Sequence, residues 1–351
     1  MKANNHFNTL FITLLVISFF TISCSQNDDS EKIEQDTTGL NVYVAGIKSI
    51  DELTSVAELW VNNSPRNIAK SNGTGTASSV FVDGNDVYVT GHESNGSLNI
   101  ATVWKNGTAT TLTDGSKNST SASIFVDNGD VYVAGDEIEN IGFNARVWKN
   151  GIATDLSDGF QSRATSVFVS GGNVYASGWQ YIQSEFRAVV WKNGIATQLT
   201  DGTKFATANS VYVDGDDVYV GGSEYNNATD KILIAKIWKN GVPIDLTDGT
   251  NSALVEAVLI SGNDVYAVGM ENLGNQSEDA AAMWKNGVIT YLTDGNNYAR
   301  AHSIFVHEDD VYIAGTERGE NNEAATIWKN GIATNLTDGK NFARALSVFV
   351  K

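Results

Sequence analysis

The chain of 351 residues carries 41 aspartates and glutamates against 23 lysines and arginines, which gives a net charge of −18 at pH 7. An acidic surface repels phosphate backbones, so this balance excludes nucleic acid as a partner. Cys24 is the only cysteine in the chain, which excludes an intrachain disulfide. The fold therefore depends on its core alone.

The first 23 residues have the pattern of a signal peptide. Lys2 provides a positive start, and residues 10–22 form an uncharged, mainly apolar stretch of 13 residues that ends just before Cys24. This stretch is shorter than the roughly 20 residues that a membrane-spanning helix needs. The segment resembles the lipobox of bacterial lipoproteins, which implies that Cys24 is acylated and becomes the mature N-terminus. A secreted protein with a free thiol and an uncleaved anchor are the alternatives.

Residues 24–38 are polar and acidic and show no apolar periodicity, so we expect a disordered tether. An acidic stretch after the lipidated cysteine resembles the surface-display signal of some gram-negative lipoproteins. The resemblance implies an outer-membrane lipoprotein at the cell surface, with the periplasmic face as the alternative.

From residue 39 onward, four short motifs return about every 44 residues: VYVAG, WKNG, LTDG and SVFV. The first motif places a tyrosine at Tyr43, Tyr88, Tyr132, Tyr175, Tyr219, Tyr266 and Tyr312. The second places a tryptophan at Trp60, Trp104, Trp148, Trp191, Trp238, Trp284 and Trp328. A fixed period of this length indicates one structural unit repeated along the chain, and packing explains aromatic residues that recur at the same place.

A single unit predicts four antiparallel strands. Residues 210–213 and 217–220 alternate as strands a and b around an Asp-Gly-Asp turn, and residues 235–238 form strand c. Asn240-Gly241 supplies the positive φ angles of a tight turn into strand d, residues 242–246. Such a sheet cannot bury both faces by itself, so the units must pack around an axis as the blades of a propeller.

The two ends of the repeat region predict how the ring closes. The chain enters at a strand b, residues 41–45, and stops on a strand a, residues 347–350, which completes the first blade. The sequence therefore predicts an all-β fold, a seven-bladed β-propeller of four-stranded blades, as one monomeric domain over residues 39–351. The strand order resembles the kelch repeat, and VDGNDVYVTG at 82–91 resembles a bacterial seven-bladed propeller repeat.

The b–c and d–a connections vary between blades, so the face that carries them is the candidate binding surface. Five blades place a glutamate two residues after the glycine that ends strand b: Glu93, Glu137, Glu224, Glu271 and Glu317. Three blades place an arginine just before strand a: Arg163, Arg300 and Arg344. Ion pairs within or between blades explain these residues structurally, and contact with an anion or a glycan is the functional interpretation.

The fourth blade adds aromatic residues to this face. Phe160 and Arg163 precede its strand a, and Trp179, Tyr181 and Phe186 follow its strand b. Because strands a and b are neighbours, we expect these side chains to lie close together as a ligand-binding patch. A loop that packs its own aromatic residues is the alternative.

The sequence predicts no catalytic residues, no metal and no cofactor. Only His92 and His302 fall on the variable face, and the LTDG aspartates fit turn caps better than calcium ligands. The main hypothesis is therefore a non-catalytic, membrane-anchored propeller that binds an unidentified carbohydrate or protein. The alternatives are an envelope hydrolase or lyase with a site at the axial end of the variable face, and a structural subunit of an envelope complex.

Overall fold

The computed structural model describes residues 39–51, 54–68, 74–139, 142–227, 229–274 and 278–351. The predicted signal peptide, the lipidation site Cys24 and the acidic tether lie outside these residues. The described part of the chain contains 28 β-strands and no helix, and so no helix within it could cross a membrane.

The strands form seven antiparallel sheets of four strands each. Blade 1 comprises β1 (Val42–Ser49), β2 (Ser55–Val61), β3 (Ser64–Asn67) and the last strand, β28 (Ala343–Val350). Blade 2 comprises β4 (Gly75–Asp83), β5 (Asp86–Ser94), β6 (Asn99–Lys105) and β7 (Thr108–Thr111). Blade 3 comprises β8 (Ser119–Asp127), β9 (Asp130–Glu139), β10 (Gly142–Lys149) and β11 (Ile152–Asp155).

Blade 4 comprises β12 (Gln161–Ser170), β13 (Asn173–Ile182), β14 (Glu185–Lys192) and β15 (Ile195–Gln198). Blade 5 comprises β16 (Ala206–Asp214), β17 (Asp217–Tyr225), β18 (Leu233–Lys239) and β19 (Val242–Asp245). Blade 6 comprises β20 (Ala253–Ser261), β21 (Asp264–Asn272), β22 (Asp279–Lys285) and β23 (Val288–Tyr291). Blade 7 comprises β24 (Ala299–His307), β25 (Asp310–Arg318), β26 (Glu323–Lys329) and β27 (Ile332–Asn335).

Strand a of each blade lies at the axis and contacts strand a of both neighbouring blades, and β28 contacts β4 in the same way. β28 pairs with β1 in register from Val350 opposite Val42, and Asn41 and Lys351 exchange backbone hydrogen bonds of 2.7 and 2.9 Å. The predicted seven-bladed, four-stranded propeller with C-terminal closure is confirmed. Closure pairs the inner edge of β1 with β28, so blade 1 has the same four strands as the other blades.

The repeat tryptophans fill the spaces between blades. All seven are at most 1 % exposed. Trp191 of blade 4, for example, packs with Tyr132 and Leu156 of blade 3, and its Nε1 donates to the Leu156 carbonyl at 2.9 Å. Large aromatic side chains bury more apolar area than any others, so one per blade supplies much of the inter-blade contact.

A repeated serine of strand a joins neighbouring blades by hydrogen bonds. The Oγ of Ser79 accepts from the Ile124 amide at 3.4 Å, and the Oγ of Ser347 accepts from the Val80 amide at 3.2 Å, across the closure. The same bond recurs at Ser123, Ser166, Ser210 and Ser303. Blade 6 has Ala257 at this position, so a serine hydroxyl cannot form this bond to blade 7.

Each strand a also contains a β-bulge opposite the glycine that ends strand b. In blade 4, a Cβ built on Gly178 would lie 1.9 Å from the Arg163 carbonyl oxygen. Only glycine permits that approach. The bulge places one additional residue per blade on the inner strand, and these additional residues form the site described next.

Candidate functional site

A cavity of about 370 Å³ lies on the propeller axis, toward the face that carries the b–c and d–a connections. Its wall includes one bulge residue from every blade: Ser78, Ala122, Thr165, Asn209, Glu256, His302 and Leu346. Thr120, Ser121, His92 and Arg163 complete the lining. The bulges thus turn a repeated strand into a ring of seven adjacent side chains around one space.

An aromatic layer lies below the cavity along the axis. On each strand a, the residue three positions after the cavity residue is aromatic, except for Leu259 of blade 6. Rings of neighbouring blades contact each other at centroid distances of 4.6–5.0 Å from Phe305 through Phe349, Phe81, Phe125 and Phe168 to Tyr212. This layer lies toward the a–b turns, so the cavity residues lie between it and the variable face.

The titratable groups of the cavity are distributed unevenly. Glu256 of blade 6 forms an ion pair with Arg300 of blade 7, and His302 stands next to it on the ring. Burial, with the nearby Arg300 and Arg344, lowers the pKa of His302 to about 3, so its imidazole is neutral near pH 7. Its Nε2 lies 3.2 Å from Thr316 Oγ1. Blades 6 and 7 therefore provide a carboxylate, a guanidinium and a neutral imidazole together.

Burial and the charge of Arg163 also lower the pKa of His92, which lines the cavity from blade 2. The sequence correctly predicted that His92 and His302 lie on the variable face. It did not identify Glu256, Asn209 or Thr165. One signal could have found them: the position just before the repeat serine carries seven different residue types in seven blades, between two nearly constant neighbours.

The three predicted arginines each pair with an acid of the preceding blade, so pairing is between blades. Arg163 Nε donates to Asp136 Oδ1 at 2.7 Å, Arg300 pairs with Glu256, and Arg344 pairs with Glu323 through Nε and Nη2. From the sequence, the repeat glutamates were the expected partners of these arginines, within or between blades. Arg163 is the arginine among these that lines the cavity.

Three of the five repeat glutamates contact side chains of their own blades. Glu224 lies 3.3 Å from Lys236 Nζ, and Glu137 lies 3.6 Å from Arg146 Nη2. Glu271 accepts from the Tyr291 hydroxyl at 2.9 Å. In blade 1 the charges are exchanged: Lys48 stands at the glutamate position, and a buried Glu58 stands at the position of Arg146 and Lys236. Burial raises the pKa of Glu58, and Lys48 opposes that shift.

Aromatic side chains form a half-buried row across blades 3, 4 and 5 on the variable face. Trp179 contacts Phe186 at a centroid distance of 4.8 Å and Phe143 at 6.3 Å, and Tyr181 contacts Phe186 at 4.9 Å. Phe205 and Tyr225 continue the row. The structure thus brings together Trp179, Tyr181 and Phe186, as the sequence predicted, and extends the group to both neighbouring blades. Phe160, 41 % exposed, has no ring contact among the described residues.

No group of three or more His, Cys, Asp or Glu side chains in the described ranges is arranged to hold a metal ion. The LTDG aspartates act in turns. Asp201 Oδ1, for example, accepts from the Thr203 amide at 2.8 Å, and this bond lowers its pKa.

No protein-family model matches the sequence, and no curated protein matches it. The fold is similar to the β-propeller domain of the trilobed protease from Pyrococcus furiosus, with a TM-score of 0.52, 13 % identity, and coverage of 87 % of this chain and 96 % of that one. That propeller is described as having an open velcro topology, whereas β28 closes the ring here.

The fold is also similar to acylaminoacyl peptidase from Pyrococcus horikoshii, with a TM-score of 0.53, 13 % identity, and coverage of 87 % of this chain and 52 % of that one. Dipeptidyl peptidase 4 from Porphyromonas gingivalis aligns with a TM-score of 0.45 and 11 % identity, over 84 % of this chain and 50 % of that one. The chain thus spans about half the length of these two peptidases. At such identities the likeness concerns the fold.

The expected non-catalytic binding propeller is wrong. Solved structures with a similar fold include the β-propeller domain of a protease and an acylaminoacyl peptidase, and the axial cavity collects titratable groups that the sequence interpretation had left unassigned. The alternative expectation, a site at the axial end of the variable face, agrees better with both observations.

Proposed function

We propose that this protein is a hydrolase whose substrate site is the axial cavity. The observation that carries the proposal is the asymmetry of the cavity ring. Packing repeats nearly every other inner-strand position, but the cavity position differs in all seven blades and places Glu256 beside His302. A concave site with clustered titratable groups and a shifted pKa is the usual setting for catalysis. The fold shared with peptidase propellers supports the same class.

The cavity residues suit the addition of water to a carbonyl-type centre. The Glu256 carboxylate serves as the general base that removes a proton from the attacking water, and it returns that proton to the leaving group when the bond to the former carbonyl carbon breaks. The neutral His302 imidazole donates a hydrogen bond to the carbonyl oxygen, as a neutral imidazole can where an imidazolium would be too acidic. Arg300, adjacent to both, stabilises the negative charge that develops on that oxygen. Each role follows from a side chain that lines or borders the cavity.

The test is a panel of chromogenic substrates, comprising aminoacyl and dipeptidyl anilides, esters and glycosides, assayed with the purified protein. Glu256→Gln should lower the rate for the accepted class by about 100-fold or more, the usual contribution of a general base. The matched control is Glu308→Gln, at an exposed a–b turn on the opposite face. Turnover of no class, or an unchanged rate in Glu256→Gln, would exclude a hydrolytic site in the cavity.

We also propose that the protein acts from a lipid anchor at Cys24, as an outer-membrane lipoprotein. The apolar stretch before Cys24 and the acidic tether after it support this assignment. With Cys24→Ala, cell fractionation should move the protein from the membrane fraction to the soluble fraction. A variant that stays with the membrane would contradict lipidation at this residue.

A further inference from the structure

Three arginines share a repeat position near the start of strand a but differ in environment: Arg163, Arg300 and Arg344. Arg344 is engaged by Glu323 through two nitrogens. Arg300 is held by Glu256 and is largely enclosed; burial opposes its charged form, but Glu256 and Tyr298 together raise its pKa. Arg163 alone of the three belongs to the described cavity lining, and its side chain is 39 % exposed.

The groups that hold Arg163 leave part of its guanidinium toward the cavity. Its Nε donates to Asp136 at 2.7 Å, and its Nη2 donates to the Thr120 hydroxyl at 3.3 Å. Thr120 in turn donates to Asp136 at 3.0 Å. Asp136 is only 3 % exposed, so its negative charge lies behind the arginine, away from solvent. A ligand in the cavity therefore lies closer to the Arg163 guanidinium than to the Asp136 carboxylate.

Arg163 lies on the opposite side of the cavity from the proposed hydrolytic groups. It belongs to blade 4, which lies across the axis from His302 of blade 7 and two blades from Glu256. The two walls of the cavity thus differ, with a fixed cation on one side and the proposed hydrolytic groups on the other. The lowered pKa of His92, caused by burial and then by Arg163, is consistent with a positive potential at that wall.

We infer that the axial cavity selects substrates that carry a carboxylate, which Arg163 binds while the bond to be hydrolysed lies at Glu256 and His302. The position of the hydrolysed bond at Glu256 and His302 rests on the proposed function, whereas carboxylate binding by Arg163 does not. A guanidinium that is already oriented by Asp136 and Thr120 forms charge-assisted hydrogen bonds with a carboxylate at little further ordering cost. The cavity volume of about 370 Å³ fits a small molecule or the end of a chain, since ligand sites begin near 300 Å³.

The experiment compares two probes, N-acetylphenylalanine and its amide, which differ only in the carboxylate. Isothermal titration should give tighter binding of the acid by about 10- to 100-fold, the range of a charge-assisted hydrogen bond. Arg163→Gln should remove this preference, and Arg163→Lys should keep part of it because a point charge remains. The control is Arg187→Gln in the same blade, whose guanidinium donates to Gln198.

Arg163→Gln leaves Asp136 buried without its cation, which can destabilise the fold. The double variant Asp136→Asn with Arg163→Gln avoids this unpaired charge and should also lose the preference. If a folded double variant still prefers the acid, or if the natural protein binds acid and amide equally, the inference is overturned.

The Glu256→Gln variant separates this inference from the proposed function. If Glu256→Gln hydrolyses no substrate but still binds the acid more tightly than the amide, the carboxylate site at Arg163 is supported. The substrate panel then decides whether the natural protein is a hydrolase. If Glu256→Gln loses hydrolysis but the acid and the amide bind equally to the natural protein and to every variant, the proposed function stands and the carboxylate site is rejected.

Discussion

The strand-c tryptophan and the bulge residue of strand a are both single positions of the same repeat, and they have opposite patterns. The tryptophan is identical in all seven blades and at most 1 % exposed. The bulge residue is different in every blade and faces a cavity. Close packing between blades restricts this position to one residue type, because the addition or removal of even one methylene group disturbs the packing of the interface. A side chain that lines the axial cavity borders open space on one side, so its size and chemistry can differ between blades.

Removal of β28 should have the largest effect, because that strand supplies Leu346 to the cavity and completes blade 1. Deletion of residues 345–351 exposes one edge on β1 and removes the inner contacts to β4 and β24. We expect aggregation or loss of cooperative unfolding, since exposed edges pair with other chains. Thermal unfolding and light scattering measure this. A truncated protein that melts like the full chain would contradict closure by β28.

Replacement of two tryptophans of blade 4, Trp191 and Trp179, should lower the stability of the protein by different amounts. Trp191→Ala should cost about 3–5 kcal/mol of unfolding free energy, because it empties a fully buried inter-blade site. Trp179→Ala should cost about 1–2 kcal/mol, since the half-buried ring of Trp179 contacts only Phe143 and Phe186 among the described aromatic rings. Trp179→Ala should also raise KM for a substrate that extends from the cavity. Denaturant titration of both variants gives the two costs, and equal costs would assign Trp179 to the core.

The neutral His302 provides a pH test of the cavity. Its pKa falls from 6.5 to about 3 in the folded protein, so below pH 6.5 the unfolded chain binds a proton that the folded chain does not. The imidazole does not lower the stability of the protein above pH 6.5, and it lowers the unfolding free energy by about 1.4 kcal/mol per pH unit as the pH falls from 6.5 toward 3.

His302→Gln removes that group. The difference in unfolding free energy between the natural protein and His302→Gln should therefore change with pH across this window. Parallel pH profiles would show that the imidazole is not enclosed.

The smallest expected effect concerns the repeat serine. Ala257→Ser restores the hydroxyl that blade 6 lacks, and its Oγ should accept from the Ile304 amide as Ser210 accepts from Val258 at 3.1 Å. We expect a gain of about 1 kcal/mol, the net value of one hydrogen bond. Ser210→Ala should lose a similar amount. A lower melting temperature for Ala257→Ser would mean that the blade 6 to blade 7 interface is packed differently.

Much of the scaffold could be read from the sequence, because local rules specify it. Asn-Gly fixes the c–d turns through positive φ angles, at Asn240 and Gly241 for example. Alternation of apolar residues fixes the strands, and the period fixes their number. The partners of Arg163, Arg300 and Arg344 could not be read in this way, since Asp136, Glu256 and Glu323 belong to neighbouring blades and carry no repeated pattern.

The repeat, the strand order and the closure of the ring follow from the spacing of motifs along the chain. The position of the site follows from the way the blades pack in three dimensions. The bulge opposite each strand-b glycine turns one extra residue toward the axis, and ring closure then brings seven such residues, far apart in the chain, around one cavity. Glu256 and His302 line the same cavity because adjacent blades meet at the axis, which no local pattern encodes.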